Sequence, residues 1–348
     1  MRSAPGAAVL VCLALLAGCS SDRADTAEAN GSSLSRRSAQ PTGSTKPAPP
    51  TVAPTSPTGV TSGTSVTSTT VPPSPDPSAK VLETATGVIV PVLGVTAEGY
   101  RVHTPCGREI SLTGGRPLQQ ATVVLDPGHG GVETGSVGAN GLVERDLNLE
   151  VARRVASLLE EAGVSVVLTR VHDYRITIAT RAEIALGLAP RAFVSIHHNG
   201  GSDGPSTKPG TETFFQIKSK ESRRLAGLIQ EELFATFATH RDIAWEADSD
   251  AGAKYRPNAS GGDYYGILRR SSGVPTALSE ALFLSNPPEA ALLAMQETQQ
   301  AEAEALARAI QRFLTTDDPG SGFVDPYPRT EPAGPGGGAD NCQDPALE

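Results

Sequence analysis

Short apolar runs alternate with longer amphipathic stretches between about residues 121 and 314. Four of these runs have the length and composition of strands, at 122–125, 164–169, 192–196 and 276–284. A run that is apolar at nearly every position is typical of a strand buried on both faces of an α/β sheet. The stretches between them carry apolar residues at helical spacing, as in Leu147, Val151 and Val155 after Glu144. The pattern therefore predicts an α/β fold.

A different pattern precedes this region, in residues 80–118. Apolar and polar residues alternate at 100–104, and turn signals such as Glu98-Gly99 and Cys106-Gly107 separate three candidate strands near 88–93, 100–104 and 109–112. We predict a small β preface built as a three-stranded meander. It either packs on the following domain or forms a binding module of its own. Fewer than about 40 residues rarely hold a stable core alone.

The N-terminus has the layout of an export signal. Arg2 is followed by an apolar run at 7–16 that is too short to span a membrane stably. Residues 16–19, LAGC, resemble the bacterial lipobox, which predicts cleavage before Cys19 and attachment of lipid to its thiol. The alternative is an N-terminal anchor that stays uncut.

Composition then divides the rest of the chain. Residues 19–79 are dominated in their core by Pro, Thr, Ser and Gly, which cannot bury enough apolar surface to fold, so they predict a disordered linker. A Pro/Gly-rich tail follows at 317–348, and the catalytic domain is expected at 119–316. The net charge of −9 argues against a nucleic-acid binder, which needs a basic face.

Two of the four cysteines are available for a bridge. Cys12 leaves with the signal and Cys19 takes the lipid, so Cys106 and Cys342 remain as a pair in an oxidising compartment. We predict a Cys106–Cys342 disulfide that returns the tail to the start of the globular part. Two free thiols are the alternative.

Three potential metal ligands stand at the ends of predicted elements. His129 lies in a glycine-rich loop after the first buried strand, Glu144 opens an amphipathic helix, and His197 follows a later buried strand. Ligands tend to bind beyond the carboxyl ends of such strands. Two imidazoles and one carboxylate with an open fourth position form a catalytic Zn²⁺ set, whereas structural sites usually use cysteine. The helix dipole also helps to keep Glu144 ionised.

Glu280 is the one carboxylate inside an apolar strand. Burying it is costly unless it is paired or functional, and burial would raise its pKa towards the range useful for a general base. A salt-bridged structural residue is the alternative interpretation.

Five motifs in this order carry a family resemblance. They are DPGHGG at 126–131, GLVERDLNL at 141–149, SIHHN at 195–199, GTETFF at 210–215 and EALFLSN at 280–286. Over about residues 121–314 the chain resembles the zinc-dependent N-acetylmuramoyl-L-alanine amidases. The resemblance implies a single twisted mixed β-sheet with helices on both faces.

The resemblance also assigns roles to individual residues. It implies that His129, Glu144 and His197 bind Zn²⁺ and that Glu280 is catalytic. Asn199 matches a polar residue beside the third ligand. Arg170 and Arg181 match positions that support the fold near the site.

The sequence departs from the family pattern in two places. His198 replaces the usual small residue after the third ligand; strand alternation places it on the face opposite His197, although substrate contact is also conceivable. The segment 240–263, with Trp245, is longer than expected and forms either part of a substrate groove or a surface loop. The 15 positions from His129 to Glu144 leave little room for a blocking insertion, which predicts an open site.

The resemblance implies hydrolysis of the amide bond between N-acetylmuramic acid and L-alanine in peptidoglycan. Two alternatives are a zinc peptidase acting on wall peptides, although no HExxH helix is present, and a non-catalytic wall-binding lipoprotein. We expect a monomer that is exported and anchored by lipid to the outer face of the cytoplasmic membrane, facing the cell wall.

Overall fold

The computed structural model describes residues 74–201, 204–248, 251–326 and 337–348. The predicted signal peptide at 1–18, the lipidation site Cys19 and all but the last residues of the 19–79 linker lie outside the described residues. Within the described residues, no helix combines the length and apolar character that crossing a membrane requires.

The β preface is an antiparallel sheet of five strands in the order β4-β3-β2-β1-β5. Its strands are β1 (Val81–Glu83), β2 (Ile89–Val95), β3 (Tyr100–His103), β4 (Glu109–Leu112) and β5 (Arg116–Leu118). The predicted three-stranded meander corresponds to β2, β3 and β4, so the strand count was too low. β1 and β5 have three residues each and pair with one another, and so short a strand carries too little alternation to be detected.

The central sheet has six strands in the order β12-β10-β13-β8-β6-β7. They are β6 (Val123–Pro127), β7 (Val166–Leu168), β8 (Ala192–Asn199), β10 (Glu212–Phe215), β12 (Ala253–Lys254) and β13 (Thr276–Phe283). β10 and β13 are antiparallel and the other neighbours are parallel, which makes the sheet mixed. Two further short strands, β9 (Pro205–Ser206) and β11 (Trp245–Glu246), pair with each other.

Six helices are described, and they cover both faces of this sheet. They are α1 (Glu144–Glu161), α2 (Ile178–Leu188), α3 (Lys220–Phe237), α4 (Gly266–Arg270), α5 (Pro287–Leu293) and α6 (Gln296–Thr315). Apolar residues of α1, α3 and α6 share one core cluster, and those of α2 and α4 share another. Val123 belongs to the first cluster and Val124 to the second, because successive side chains of a strand point to opposite faces. The predicted α/β architecture is confirmed.

The β preface packs on the catalytic domain. Val81, Ile89 and Leu118 lie in the same apolar cluster as Ile184 and Leu188 of α2. This packing supports the first of the two interpretations of the preface, in which the strands share the core of the following domain.

The C-terminal tail returns to the same region. Cys106 and Cys342 are bonded, with their Cα atoms 5.6 Å apart, which confirms the predicted disulfide. Leu347 is buried in the apolar cluster of the β preface, and Phe323 forms an isolated bridge with Ala253. The described parts of the tail are therefore integrated into the fold.

Candidate active site

Three separate elements bring the predicted metal ligands together. His129 follows β6, Glu144 is the first residue of α1, and His197 lies within β8. Oε1 of Glu144 is 3.0 Å from Nε2 of His129 and 3.0 Å from Nδ1 of His197. Each of the three residues offers one candidate ligand atom, and these three atoms all lie within 4.8 Å of one another. His197 is thus part of β8, which continues to Asn199.

Glycine makes this convergence possible. His129 adopts the left-handed backbone conformation with φ 61°, followed by Gly130 and Gly131, which also have positive φ. At Gly128 a Cβ atom would collide with the imidazole of His197. The loop that follows β6 therefore needs glycine, both to make its turn and to approach β8 closely.

The environment of Glu144 favours its carboxylate form. Burial raises the pKa of this carboxyl, but hydrogen bonding and charge interaction with His129 and His197 outweigh it and hold the pKa well below the usual range. The backbone N–H of Ser136 also donates to Oε2 at 2.8 Å. An ionised carboxylate between two imidazoles is the form that binds a metal.

His198 points away from this cluster, as strand alternation predicts. Its side chain has 0% exposure, with Nδ1 2.8 Å from Oδ1 of Asn148 and Nε2 3.1 Å from Oε2 of Glu302. Because both ring nitrogens have buried partners, the geometry favours a structural role for His198 and argues against contact with substrate.

Two buried arginines hold the loop that carries His129. Arg170 donates to the backbone oxygens of Pro127 at 3.0 Å and Gly128 at 2.9 Å. Arg181 donates to the backbone oxygen of His129 at 2.6 Å and pairs with Asp126 at 2.6 Å. Both side chains therefore fix the backbone from which His129, the first of the predicted ligands, projects.

Glu280 lies in a row of side chains across three neighbouring strands. It pairs in register with His197 of β8 and with Glu212 of β10. Its Oε2 is buried and has no hydrogen-bond partner among the described residues. Burial, followed by the negative charges of Glu144 and Glu212, raises the pKa of Glu280 well above its usual value, and Arg256 opposes that rise.

Neighbouring polar residues complete this row. Asn199 donates from Nδ2 to Oε2 of Glu212 at 2.6 Å, and Nζ of Lys254 pairs with the other oxygen of Glu212. Glu212 lies within a motif found in the sequence, but its role beside Glu280 depends on the β10–β13 register. Lys254 and Arg256 were not predicted as site residues, since nothing local distinguishes them from other residues of a long loop.

An open cavity of about 580 Å³ connects these groups. His129 and His197 retain 22% and 18% side-chain exposure, which agrees with the predicted open site. The segment 240–263 divides between two environments, because Trp245 is buried in the core while Arg256 lines the cavity. Arg256 is the one described residue of this segment that lines the cavity.

Comparison with known proteins gives a family for this arrangement. Residues 123–312 match the family described as N-acetylmuramoyl-L-alanine amidase (Amidase_3). The uncharacterized protein YqiI of Bacillus subtilis is 35% identical over 62% of this chain and 97% of its own length. The germination-specific N-acetylmuramoyl-L-alanine amidase of Bacillus subtilis is 32% identical over 57% of this chain and 82% of its own length.

Solved structures of similar sequence include AmiC2 of Nostoc punctiforme, an N-acetylmuramoyl-L-alanine amidase, with 33% identity and a TM-score of 0.46 over 55% of this chain and 96% of that one. The catalytic domain of CwlV from Bacillus (Paenibacillus) polymyxa has 30% identity and a TM-score of 0.47 over 56% of this chain and 98% of that one. The match over residues 123–312 spans more than half of the sequence. The chain therefore belongs to the N-acetylmuramoyl-L-alanine amidase family, and it hydrolyses the amide bond between N-acetylmuramic acid and L-alanine in peptidoglycan.

Proposed function

We propose that this amidase depends on Zn²⁺ held by His129, Glu144 and His197, and that Glu280 moves the proton. The observation that carries the proposal is the position of Glu280. Its buried and unpaired Oε2 lies on the strand next to His197, beside the three-residue cluster. A buried carboxylate oxygen without a hydrogen-bond partner is costly for the fold, which favours a functional role.

The donor set fits zinc. Two imidazole nitrogens and one carboxylate oxygen are the protein ligands of many catalytic zinc sites, and the exposure of both histidines leaves one side of the cluster open to the cavity. When bound, zinc supplies Lewis-acid activation of the amide carbonyl and of the attacking water.

Glu280 completes the reaction by transferring one proton twice. As a carboxylate it accepts a proton from the attacking water, whose oxygen forms a bond to the lactyl carbonyl carbon of N-acetylmuramic acid. It then delivers that proton to the nitrogen of L-alanine as the C–N bond breaks. The raised pKa of Glu280 suits the first step, because a weaker acid has a conjugate base that accepts a proton from water more readily.

Digestion of purified peptidoglycan tests this proposal. We expect free glycan strands and peptides that begin with L-alanine, identified by mass spectrometry, and we expect a chelator to abolish their release. Peptides cut internally would indicate a peptidase instead. Digestion that continues at an unchanged rate in the presence of chelator would rule out the zinc assignment.

A variant of Glu280 separates catalysis from metal binding. Glu280→Gln should retain zinc at the wild-type stoichiometry and lose activity by about 10²- to 10⁴-fold, the usual contribution of a general acid–base residue. Glu304→Gln, on an exposed position of α6, is the matched control and should keep full activity. Near-wild-type turnover by Glu280→Gln would refute its role.

We further propose that the enzyme is exported, lipidated at Cys19 and active as a monomer at the outer face of the cytoplasmic membrane. Support comes from the sequence, in the LAGC segment at 16–19 and the Pro/Thr-rich linker that follows. Cys19→Ser should abolish incorporation of labelled fatty acid and release the protein from membranes. Equal labelling of the variant and the wild type would exclude this site.

A further inference from the structure

Arg256 is a buried cation in the wall of the catalytic cavity. Arg256 is 7% exposed, and it lines the same cavity as Glu280 and the three proposed ligands. Among the described residues no carboxylate forms an ion pair with its guanidinium, and its one side-chain hydrogen bond runs from Nη1 to Oη of Tyr265 at 2.7 Å. Most N–H donors of this guanidinium thus have no acceptor among the residues that the structure describes.

Aromatic rings hold Arg256 in place. The carbon at the centre of the guanidinium lies 4.8 Å from the ring centroid of Phe214, 5.4 Å from that of Tyr265 and 5.8 Å from that of Tyr264. Such contacts stabilise the cation but do not satisfy its N–H groups. A planar cation with free donors, fixed at a cavity wall, has the geometry that binds a carboxylate through two parallel hydrogen bonds.

The loop that carries Arg256 is ordered by its own hydrogen bonds. Oδ1 of Asn258 accepts from the backbone N–H groups of Ser260 at 3.0 Å and Gly262 at 3.0 Å. The N–H of Tyr264 donates to the backbone oxygen of Arg256 at 2.9 Å, and Asp263 accepts from the N–H of Ile217 at 2.8 Å. The guanidinium is therefore positioned before any ligand arrives, which lowers the entropic cost of binding.

The position of Arg256 relative to Glu280 indicates which part of the substrate it meets. Arg256 is close enough for its charge to act on the carboxyl of Glu280. In the proposed mechanism Glu280 delivers a proton to the amine of the departing L-alanine, which puts the peptide side of the substrate at this end of the cavity.

We propose that Arg256 is a specificity-determining residue that binds a carboxylate of the stem peptide within one or two residues of the scissile amide. The proposal rests on the proposed roles of the zinc ligands and Glu280, because these fix the direction of the substrate. Binding at Arg256 gives the enzyme a preference for stem peptides that carry a free carboxylate near the scissile amide over stem peptides in which that carboxylate is a carboxamide.

Matched substrates test this preference. N-acetylmuramoyl-L-alanine and N-acetylmuramoyl-L-alanyl-glycine are each compared with the corresponding carboxamide, which has the same shape but no charge. For at least one pair, the wild type should show a kcat/KM about 10- to 100-fold higher for the carboxylate, mainly through a lower KM. The same four compounds are also measured as competitors of wall digestion, so that recognition is read even where turnover of a fragment is slow.

Variants assign the preference to Arg256. Arg256→Gln should bring the ratio between carboxylate and carboxamide to about one, and Arg256→Lys should keep part of the preference because it retains the charge but not the planar fork. Arg270→Gln, an exposed arginine of α4 outside the cavity, should leave the ratio at its wild-type value. Because each ratio is taken within one variant, partial unfolding cancels.

Two results would overturn the proposal. The first is a wild type that treats carboxylate and carboxamide alike in both pairs, by turnover and by competition. The second is an Arg256→Gln variant that loses activity equally on both members of a pair, which would make Arg256 a structural residue or a partner of the reacting amide. Failure of the proposed zinc mechanism can be told apart from both results, because it appears as wall digestion that persists in the presence of a chelator or in the Glu280→Gln variant.

Discussion

Nε2 of His198 lies 3.1 Å from Oε2 of Glu302, and both side chains are fully buried between β8 and α6. On the other side of the ring, Nδ1 meets Oδ1 of Asn148 at 2.8 Å, and Nδ2 of Asn148 lies 3.3 Å from Oε1 of Glu144. A continuous polar chain thus joins a helix of the core to a proposed zinc ligand. Residues that hydrogen-bond to metal ligands in this way orient those ligands and tune their affinity for the metal.

His198→Ala should weaken both the fold and the metal site. It leaves Oε2 of Glu302 and Oδ1 of Asn148 buried without their hydrogen-bond partner, so the free energy of unfolding of the apoenzyme should fall by about 1–3 kcal/mol. Zinc affinity should fall about tenfold because Asn148 no longer has a fixed orientation towards Glu144. Denaturant unfolding and competition with a chromogenic chelator measure the two effects.

The double variant His198→Ala/Glu302→Leu distinguishes stability from positioning. Replacing both partners of a buried polar pair removes the unsatisfied carboxylate, so part of the lost stability should return. Zinc affinity should stay low, because Oδ1 of Asn148 still lacks the imidazole that orients it. If affinity recovered together with stability, the chain would act on the site only through the fold.

Asp126→Asn should destabilise the carboxyl end of β6, directly before His129. Asp126 is 1% exposed, pairs with Arg181 at 2.6 Å and accepts hydrogen bonds from Thr169 at 2.6 Å and Ser195 at 2.7 Å. Loss of one member of a buried ion pair costs about 3–5 kcal/mol, which denaturant unfolding at pH 7 would detect. Asp242→Asn, at an exposed position, should change the free energy of unfolding little.

The same residue predicts a pH effect with a definite sign. Burial raises the pKa of Asp126, but the charge of Arg181 and the hydrogen bonds from Thr169, Arg181 and Ser195 lower it overall. A depressed pKa contributes stability above the unfolded value of 3.8 that is lost as pH falls through the folded value. The stability difference between wild type and Asp126→Asn should therefore shrink below about pH 4.

The residues proposed as metal ligands and proton carrier could be recognised in the sequence because each marks the boundary or interior of a strongly patterned element. His129 stands among glycines after a buried strand, and Glu280 is a lone carboxylate in an apolar one. Their convergence follows from the parallel pairing of β6, β8 and β13. The match to the amidase family confirms the resemblance that these motifs carried.

Arg256 could not be predicted in the same way. Its position in the cavity depends on the pairing of the two-residue strand β12 with β10 and on a loop closed by Asn258. Neither feature has a periodic pattern. The buried end of the tail, at Leu347, is likewise a long-range contact without a local signal.

Glu289 gives a second pH prediction, with the opposite sign. Asn286 caps α5 by accepting from the N–H of Glu289, and the carboxylate of Glu289 accepts from the N–H groups of Phe283 and Glu246. Burial raises the pKa of Glu289 from 4.5 to about 7, against the lowering effect of these two bonds.

A raised pKa means that the folded state holds a proton which the unfolded state loses. Glu289 therefore favours folding most below pH 4.5, and this contribution declines as pH rises to about 7. Relative to wild type, Glu289→Gln should lose stability at low pH but become about 3 kcal/mol less unfavourable between pH 4.5 and 7. A constant difference in unfolding free energy across that range would contradict the assignment.

Removal of the Cys106–Cys342 bridge should affect both stability and the cavity. The bridge closes a sequence separation of 236 residues and holds the tail against Ile178, whose N–H donates to the oxygen of Gly337 at 3.0 Å. Gly337 also donates to Oε1 of Glu133 at 3.1 Å, and both residues line the cavity.

The double variant Cys106→Ser/Cys342→Ser should lower the free energy of unfolding by about 2–5 kcal/mol, mainly because the unfolded chain regains freedom. It should also raise KM for wall fragments, since Gly337 is no longer tied to the cavity rim. Denaturant unfolding with and without a thiol reductant measures the first effect. The reductant should destabilise the wild type and leave the double variant unchanged, so an equal response of the two proteins would show that the bridge does not support the fold.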